Sequence, residues 1–216
     1  AATNNLGQIK TAKKDLDGAV LVYRKGLEQS PGNAAISPRL AGLLMAQNKP
    51  DDALEVLRTA VQKNPTAPAL RILLARTYQR LGRMDEALQT INEAGEAGSK
   101  STDLQLAAGD MALAKKDFAA ARAHFEAAAK LDARAALPLY LLGQLERQAG
   151  NPEAAEKRFR DALVRDFQDQ TARTALVSLL LGERDVSGAV AVLDDADRQG
   201  VKAGYLHALR GDIAAV

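Results

Sequence analysis

The stretch ALPLYLLGQLERQAGNPEAAEKRFRDALVRDFQD, Ala136–Asp169, decides how the whole chain is read. Its apolar residues recur three and four apart, the spacing of one face of an amphipathic helix, on both sides of a break at Gly150, Asn151 and Pro152. Two helices joined by a short turn follow. Ala155, Phe159 and Ala162 then lie on one face of the second helix, as small, large, small.

That stripe recurs. Ala19, Ala53, Ala87, Ala121, Ala155 and Ala189 are each separated by 34 residues, with no insertion or deletion. The large member of the stripe runs Tyr23, Leu57, Ile91, Phe125, Phe159 and Leu193, and the second small one Gly26, Ala60, Ala94, Ala128, Ala162 and Ala196. The small residues are notches that admit a neighbouring helix, and the large one is a knob that fills the space between them. Ala121→Leu or Ala155→Leu would overpack such a contact, at a cost of about 1–3 kcal/mol.

The first helix of each unit has its own columns. Leu6-Gly7, Leu40-Ala41, Leu74-Ala75, Ala108-Gly109, Leu142-Gly143 and Leu176-Val177 form a close-approach surface, and Ile9-Lys10, Leu43-Leu44, Thr77-Tyr78, Met111-Ala112, Leu145-Glu146 and Leu179-Leu180 follow them. The first helices are expected to end at Lys14, Asn48, Gly82, Lys116, Gly150 and Arg184, where Gly and Asn suit a left-handed residue. Asp15, Asp117, Asn151 and Asp185 are placed to cap the second helices, with Pro152 tolerated in a first turn. Pro31 and Pro65 stop the second helix in two units, and Gly98 and Gly200 are expected to do so in two others.

These columns resemble the tetratricopeptide repeat, a helix-turn-helix unit with the pattern W-x2-L-G-x2-Y, A-x3-F and P. Leu142, Gly143, Ala155, Phe159 and Ala162 fill its places, as do Tyr78, Ala87 and Ala94; no unit has Trp and most lack Tyr. The resemblance implies an all-α fold, a right-handed superhelical solenoid of helical hairpins, in a single array over residues 1–216. The units run 1–33, 34–67, 68–101, 102–135, 136–169 and 170–203, and 204–216 reads as the first helix of a partial seventh. Ala1 falls inside a helix and neither end reads as a dedicated polar cap, so a segment of a longer array is expected.

Composition agrees with packed helices: 47% of the 216 residues are apolar, mostly Ala, Leu and Val, and only 4% are aromatic. Twenty-nine basic and 27 acidic residues leave a net charge of +2, which gives no nucleic-acid footprint and places RNA binding last among the readings. No apolar run reaches the length of a membrane span. Cysteine is absent, so disulfides and thiolate metal sites are excluded.

Chemistry-bearing motifs are few. His124 and His207 lie in different units and read as structural. Gly95-Glu96-Ala97-Gly98-Ser99-Lys100 lacks the Gly-Lys-Ser/Thr ending of a phosphate loop and reads as a polar turn between units. Asp51 and Asp52 sit in a helix first turn, where negative charge is favourable. No catalytic constellation and no cofactor site emerge.

Stacked hairpins present their first helices along one extended concave surface, and the resemblance implies that this surface receives a peptide or helix of a protein partner. The first-helix residues left after the packing columns are removed are Arg39, Met45, Arg76, Gln79, Arg80, Asp110, Tyr140, Gln144, Arg147 and Ser178, with Asn4, Gln8, Leu113, Thr174 and Leu181 beside them and Gly42 leaving room for a ligand backbone. Arginines beside a tyrosine suit carboxylate and amide recognition. The Lys/Asn clamp of chaperone-binding members is absent, Asn4 and Gln8 standing in its places. The Asn ladder of sugar-transferring members is absent too, since Asn5 is followed by Arg39, Leu73, Ala107, Leu141 and Ala175. A non-catalytic scaffold leads, with self-association through uncapped ends as the alternative. The Ala-, Leu-, Arg- and Gly-rich repeats also resemble bacterial proteins of exopolysaccharide production and export, which implies the periplasm over the cytoplasm.

Overall fold

The computed structural model describes residues 2–201 and 204–214. The expectations that touch Ala1, Lys202, Ala203, Ala215 and Val216 lie outside the described residues. Two compact units divide the chain, Ala1–Lys115 and Lys116–Val216. Among the described residues every regular element is a helix.

The first unit holds α1 (Ala2–Ala12), α2 (Leu16–Gln29), α3 (Ser37–Ala46), α4 (Pro50–Lys63), α5 (Pro68–Arg80), α6 (Met84–Asn92), α7 (Gly95–Ser99) and α8 (Thr102–Ala114). In the second unit are α9 (Phe118–Leu131), α10 (Leu137–Gln148), α11 (Pro152–Arg165), α12 (Gln170–Gly182), α13 (Val186–Arg198) and α14 (Tyr205–Ala214). In the first unit α1, α3 and α5, and in the second α10 and α12, each pack on the second helix of their own hairpin, and α2, α4, α6, α9, α11 and α13 pack on the first helix that follows.

The turns repeat as the sequence implies. Lys14, Asn48, Gly82, Lys116, Gly150 and Arg184, spaced by one repeat, all have positive φ, between 57° and 77°. The residue after five of them donates its backbone N–H to the carbonyl five positions back: Asp15 to Lys10 and Asn151 to Glu146 at 2.9 Å, and Asp185 to Leu180 at 2.8 Å. This is a Schellman motif, which satisfies the last carbonyls of the first helix and reverses the chain. Lys and Arg adopt this backbone at a cost of about 1–2 kcal/mol each, so packing rather than local preference holds those turns.

Asp15, Asp117 and Asp185 cap the following helices, accepting from the backbone N–H of Gly18, Ala120 and Gly188. Asn151 does not cap α11. Its side-chain amide donates instead to Glu146 at 3.2 Å, because a buried carboxylate lies within reach. Ser101 and Asp169 cap α8 and α12, caps the repeat pattern did not single out.

The small-large-small stripe is buried along the second helices, with Ala94 the exception. All six leading alanines are fully buried, and Leu57, Phe125 and Phe159 are too. Knob size is matched by the first helix. A Cβ placed on Gly7 would sit 2.2 Å from the Tyr23 ring, and one on Gly143 would sit 2.5 Å from Phe159. Where the knob is Leu57 or Ile91, the equivalent first-helix residue is Ala41 or Ala75. An aromatic knob thus uses the volume a methyl group would need.

Three expectations are corrected. Leu6 and Ile9 are 48% and 52% exposed rather than buried: their counterparts in later repeats are covered by a preceding second helix, and α1 has none among the described residues. The third repeat departs at its end, since α6 stops at Asn92 and Gly95 takes the left-handed backbone at φ +53. Ala94 is therefore only half-buried beyond that helix. Gly98 does not terminate a helix; it lies buried inside α7, which replaces the expected polar turn. Gly200 ends α13 at φ +75 as expected.

Candidate functional site

One first-helix column faces outward in both units. It comprises Gln8, Gly42, Arg76 and Asp110 in the first unit and Gln144 and Ser178 in the second, all exposed except the half-buried Gln144. Each lies one or two positions from fully packed residues, so the helix period alone turns these side chains to solvent.

In the first unit a recess of about 450 Å³ opens between α1 and α3, lined by Gln8, Arg39, Gly42 and Leu43 over the Tyr23 ring. Arg39 is held in place: its Nη1 donates to the Ala35 carbonyl at 2.7 Å, and the Gln8 amide oxygen, turned toward it, accepts at 2.8 and 3.1 Å. Nothing lies within 4 Å of the Cβ position of Gly42, so a backbone or side chain can approach there. Further along, burial raises the Asp110 carboxyl above the usual aspartate value although the residue stays exposed, and the Arg76 charge opposes that shift. Met45 and Gln79 are half-buried beside this face; Arg80 is exposed and makes no ion pair among the described residues.

In the second unit Tyr140, Gln144 and Arg147 form a chain on α10. Gln144 Nε2 donates to the Tyr140 hydroxyl at 2.7 Å, and Arg147 Nε donates to Gln144 Oε1 at 3.0 Å. The Tyr140 ring packs on Phe159 at 5.9 Å between centroids. The knob of the core thereby sets the direction of the outward tyrosine, and spacings of four and three make the chain. Ser178 is exposed on α12.

His124 is half-buried on α9, its imidazole pushed down by burial, with Asp117 opposing. Among the described residues no three His, Cys, Asp or Glu side chains converge as metal ligands, and no helix is long and apolar enough to cross a membrane. The sequence reading passed over two buried arginines, Arg71 on α5 and Arg173 on α12, three repeats apart. The same repeat place holds Ser37, Gln105 and Leu139, a mixed column that gives no sign of burial.

A register of helical hairpins repeating every 34 residues, fitted together by notches and knobs within each unit, defines a helical-repeat protein. The chain belongs to the tetratricopeptide repeat family: profiles of that description match residues 10–60 and 44–109, and 106–157 and 140–203. No curated protein matches the sequence. Among solved structures it is similar to PilF of Pseudomonas aeruginosa, at 18% identity and a TM-score of 0.65 over 98% of this chain and 96% of that one. PilW, a type IV pilus biogenesis factor, matches at 15% identity and 0.66, covering 96% of each. A thermophilic tetratricopeptide protein of Thermus thermophilus matches at 21% and 0.60 over 83% of this chain and 98% of that one. At these identities the likeness is one of fold.

Proposed function

We propose that the outward first-helix face binds a peptide or helix of a protein partner, without catalysis. Tetratricopeptide repeats generally mediate protein–protein interaction, which supports the class of ligand. The carrying observation is the outward first-helix face, where Arg39, Arg76, Arg80, Asp110, Arg147 and Ser178 are exposed while the stripes a few residues away are sealed. Arg39, Arg76, Arg80 and Arg147 offer planar donors to carboxylates and carbonyls, Tyr140 a flat amphipathic surface, and Met45 and Gln79 adaptable contacts. Asp110 and Ser178 extend the polar rim. Charge reversal of Arg76, Arg80 and Arg147 together is expected to weaken partner capture in a pull-down and leave helicity unchanged by circular dichroism. Full capture by that triple variant overturns the assignment.

Exposed Leu6 and Ile9 on α1 favour a second reading, in which this end joins another copy of the array. Light scattering that finds only monomer at high concentration removes it. The setting proposed with this reading is an envelope assembly for exopolysaccharide export, which rests on the Ala-, Leu-, Arg- and Gly-rich composition of the repeats alone.

A further inference from the structure

The second helices carry a cleft that the first-helix face does not include. It lies between α11 and α13, has a volume of about 360 Å³, and is floored by Arg173 and Leu176 of α12. Its apolar wall is Leu163, Val164, Ala191 and Val192, and Val164 is 85% exposed, the most exposed large apolar side chain described. Arg160 and Arg198 stand on opposite sides with Asp195 and Gln199. Three guanidinium groups thus face one lining carboxylate.

Arg173 is the unusual member. It exposes 2% of its surface, and both its partners are neutral: Nη1 donates to the Tyr205 hydroxyl at 2.7 Å and Nη2 to the Phe167 carbonyl. Its Nε has no partner and no ion pair reaches it among the described residues. A buried cation without a counter-charge raises the potential of the cleft above it. Arg160 and Arg198 are tethered only within their own helices, to Glu156 and Asp195, by exposed pairs that are weak and easily exchanged.

The first unit contains the same cleft three repeats earlier, with a different charge. Arg58, Gln62, Arg71, Leu74 and Glu93 stand where Arg160, Val164, Arg173, Leu176 and Asp195 stand in the second. There two arginines meet two glutamates, Glu55 and Glu93, and Arg71 gives Nη1 to the Thr90 carbonyl at 3.0 Å. The repeat place of Arg198 holds Glu96. The same cleft recurs between α2 and α4, where Arg24 meets Asp52 and Glu55, and of the three only the one between α11 and α13 carries an excess of arginines.

We propose that the cleft between α11 and α13 is a docking site for a peptide segment of a protein partner that presents an aliphatic side chain beside a carboxylate. The aliphatic group covers Val164 and Leu163, and the carboxylate bridges Arg160 and Arg198 above the buried Arg173 charge. Charge-assisted pairs of this kind are the strong ones. The site is independent of the first-helix face.

The test is an NMR titration of isotope-labelled protein with acetyl-Gly-Leu-Glu-Gly-amide, and with the same peptide carrying Gln for Glu or Ser for Leu. Backbone amides from Ala191 to Gln199 are expected to shift with the Leu-Glu peptide, while those of Arg58, Thr59 and Glu93 in the first unit's cleft stay still. Both altered peptides, and the Arg198→Glu protein, are expected to bind about tenfold more weakly, a difference of about 1.4 kcal/mol. Equal binding of the Gln peptide, equal shifts in the two clefts, or no shift at α13 each overturns the proposal. Arg160 and Arg198 are exposed, so their variants remain folded, which an unchanged melting curve checks. The Arg76, Arg80 and Arg147 charge-reversal variant is expected to titrate as wild type, which separates failure here from failure of the first-helix assignment.

Discussion

Tyr78 in the first unit and Glu146 in the second stand at the same place in the repeat, two repeats apart, where other repeats carry Lys10, Leu44, Ala112 and Leu180. Both are buried and both bring a polar atom into a packed hairpin. The first unit answers with a neutral hydroxyl that accepts from Arg58 Nε at 2.6 Å, while the Arg83 guanidinium lies 5.0 Å from the ring centroid. The second answers with charge: Glu146 exposes 6% of its surface, pairs with Arg122 of α9 and accepts from Asn151 at 3.2 Å. One backbone place thus tolerates aliphatic, aromatic or ionic side chains, provided a neighbour completes any hydrogen bonds. The ionic solution makes the second unit dependent on Arg122 as the one paired counter-charge.

Removing that partner has the largest expected effect. Arg122→Ala leaves Glu146 buried with the Asn151 amide and the more distant Arg158 charge, and breaking a buried pair from one side costs about 3–5 kcal/mol. Arg122 is itself 37% exposed, which places the expected loss at the lower end, about 3 kcal/mol. Urea denaturation reads it directly. A loss under about 1 kcal/mol is the range of an exposed pair and would make Glu146 equivalent to a surface carboxylate.

Acid exposes the same difference. The Arg122 hydrogen bond holds the Glu146 carboxyl below the ordinary 4.5, against burial, which pushes it up, and with help from Asn151. The folded state therefore releases this proton more readily than the unfolded chain does. The stabilisation is present above the unfolded glutamate range and is lost as pH falls through the folded value. Melting at pH 7 and pH 4 is expected to show a larger acid loss in wild type than in Arg122→Ala. Equal losses would remove the ionic half of the comparison. Glu86 is also lowered, by Arg83, but that pair is exposed and solvent-screened. Tyr78→Phe, which deletes only the hydroxyl, is expected to cost about 1 kcal/mol, with no change in the acid response. A Tyr78→Phe loss as large as that of Arg122→Ala would mean that charge is not what separates the two units.

The period and its consequences were legible in the chain. A small-large-small stripe recurring every 34 residues demands one hairpin geometry, so even Lys14, Lys116 and Arg184 could be placed as turn residues by position. The outward column was legible because the helical period that buries Leu74 and Ala75, or Leu176 and Val177, exposes Arg76 and Ser178. Contacts outside that register were not. Arg122 and Glu146 are 24 residues apart, so no repeat spacing links them, and Asn151 left its capping place for that carboxylate. Leu6 and Ile9 obey the pattern and are exposed all the same, since a column states which face is apolar and not what covers it. The clefts between second helices were missed because each joins residues of three helices, and Arg71 and Arg173 resemble surface arginines until their burial is known.

Glu146→Leu gives the smallest expected effect and the sharpest one. It restores the residue found at Leu44 and Leu180, both buried at the same repeat place. The carboxylate loses its desolvation cost and its ion pair together, Arg122 turns its partly exposed head to water, and the Asn151 amide sits in a turn that water can reach. Such replacements of an ion pair by an apolar residue are often neutral or stabilising, so the expected change at neutral pH is within about 1 kcal/mol, with the acid-dependent part gone. A loss near 3 kcal/mol, matching Arg122→Ala, would mean that the second unit requires the Glu146 pair for its packing and not merely a satisfied group at that place. The two units would then differ in construction, not only in the side chain that fills a shared position.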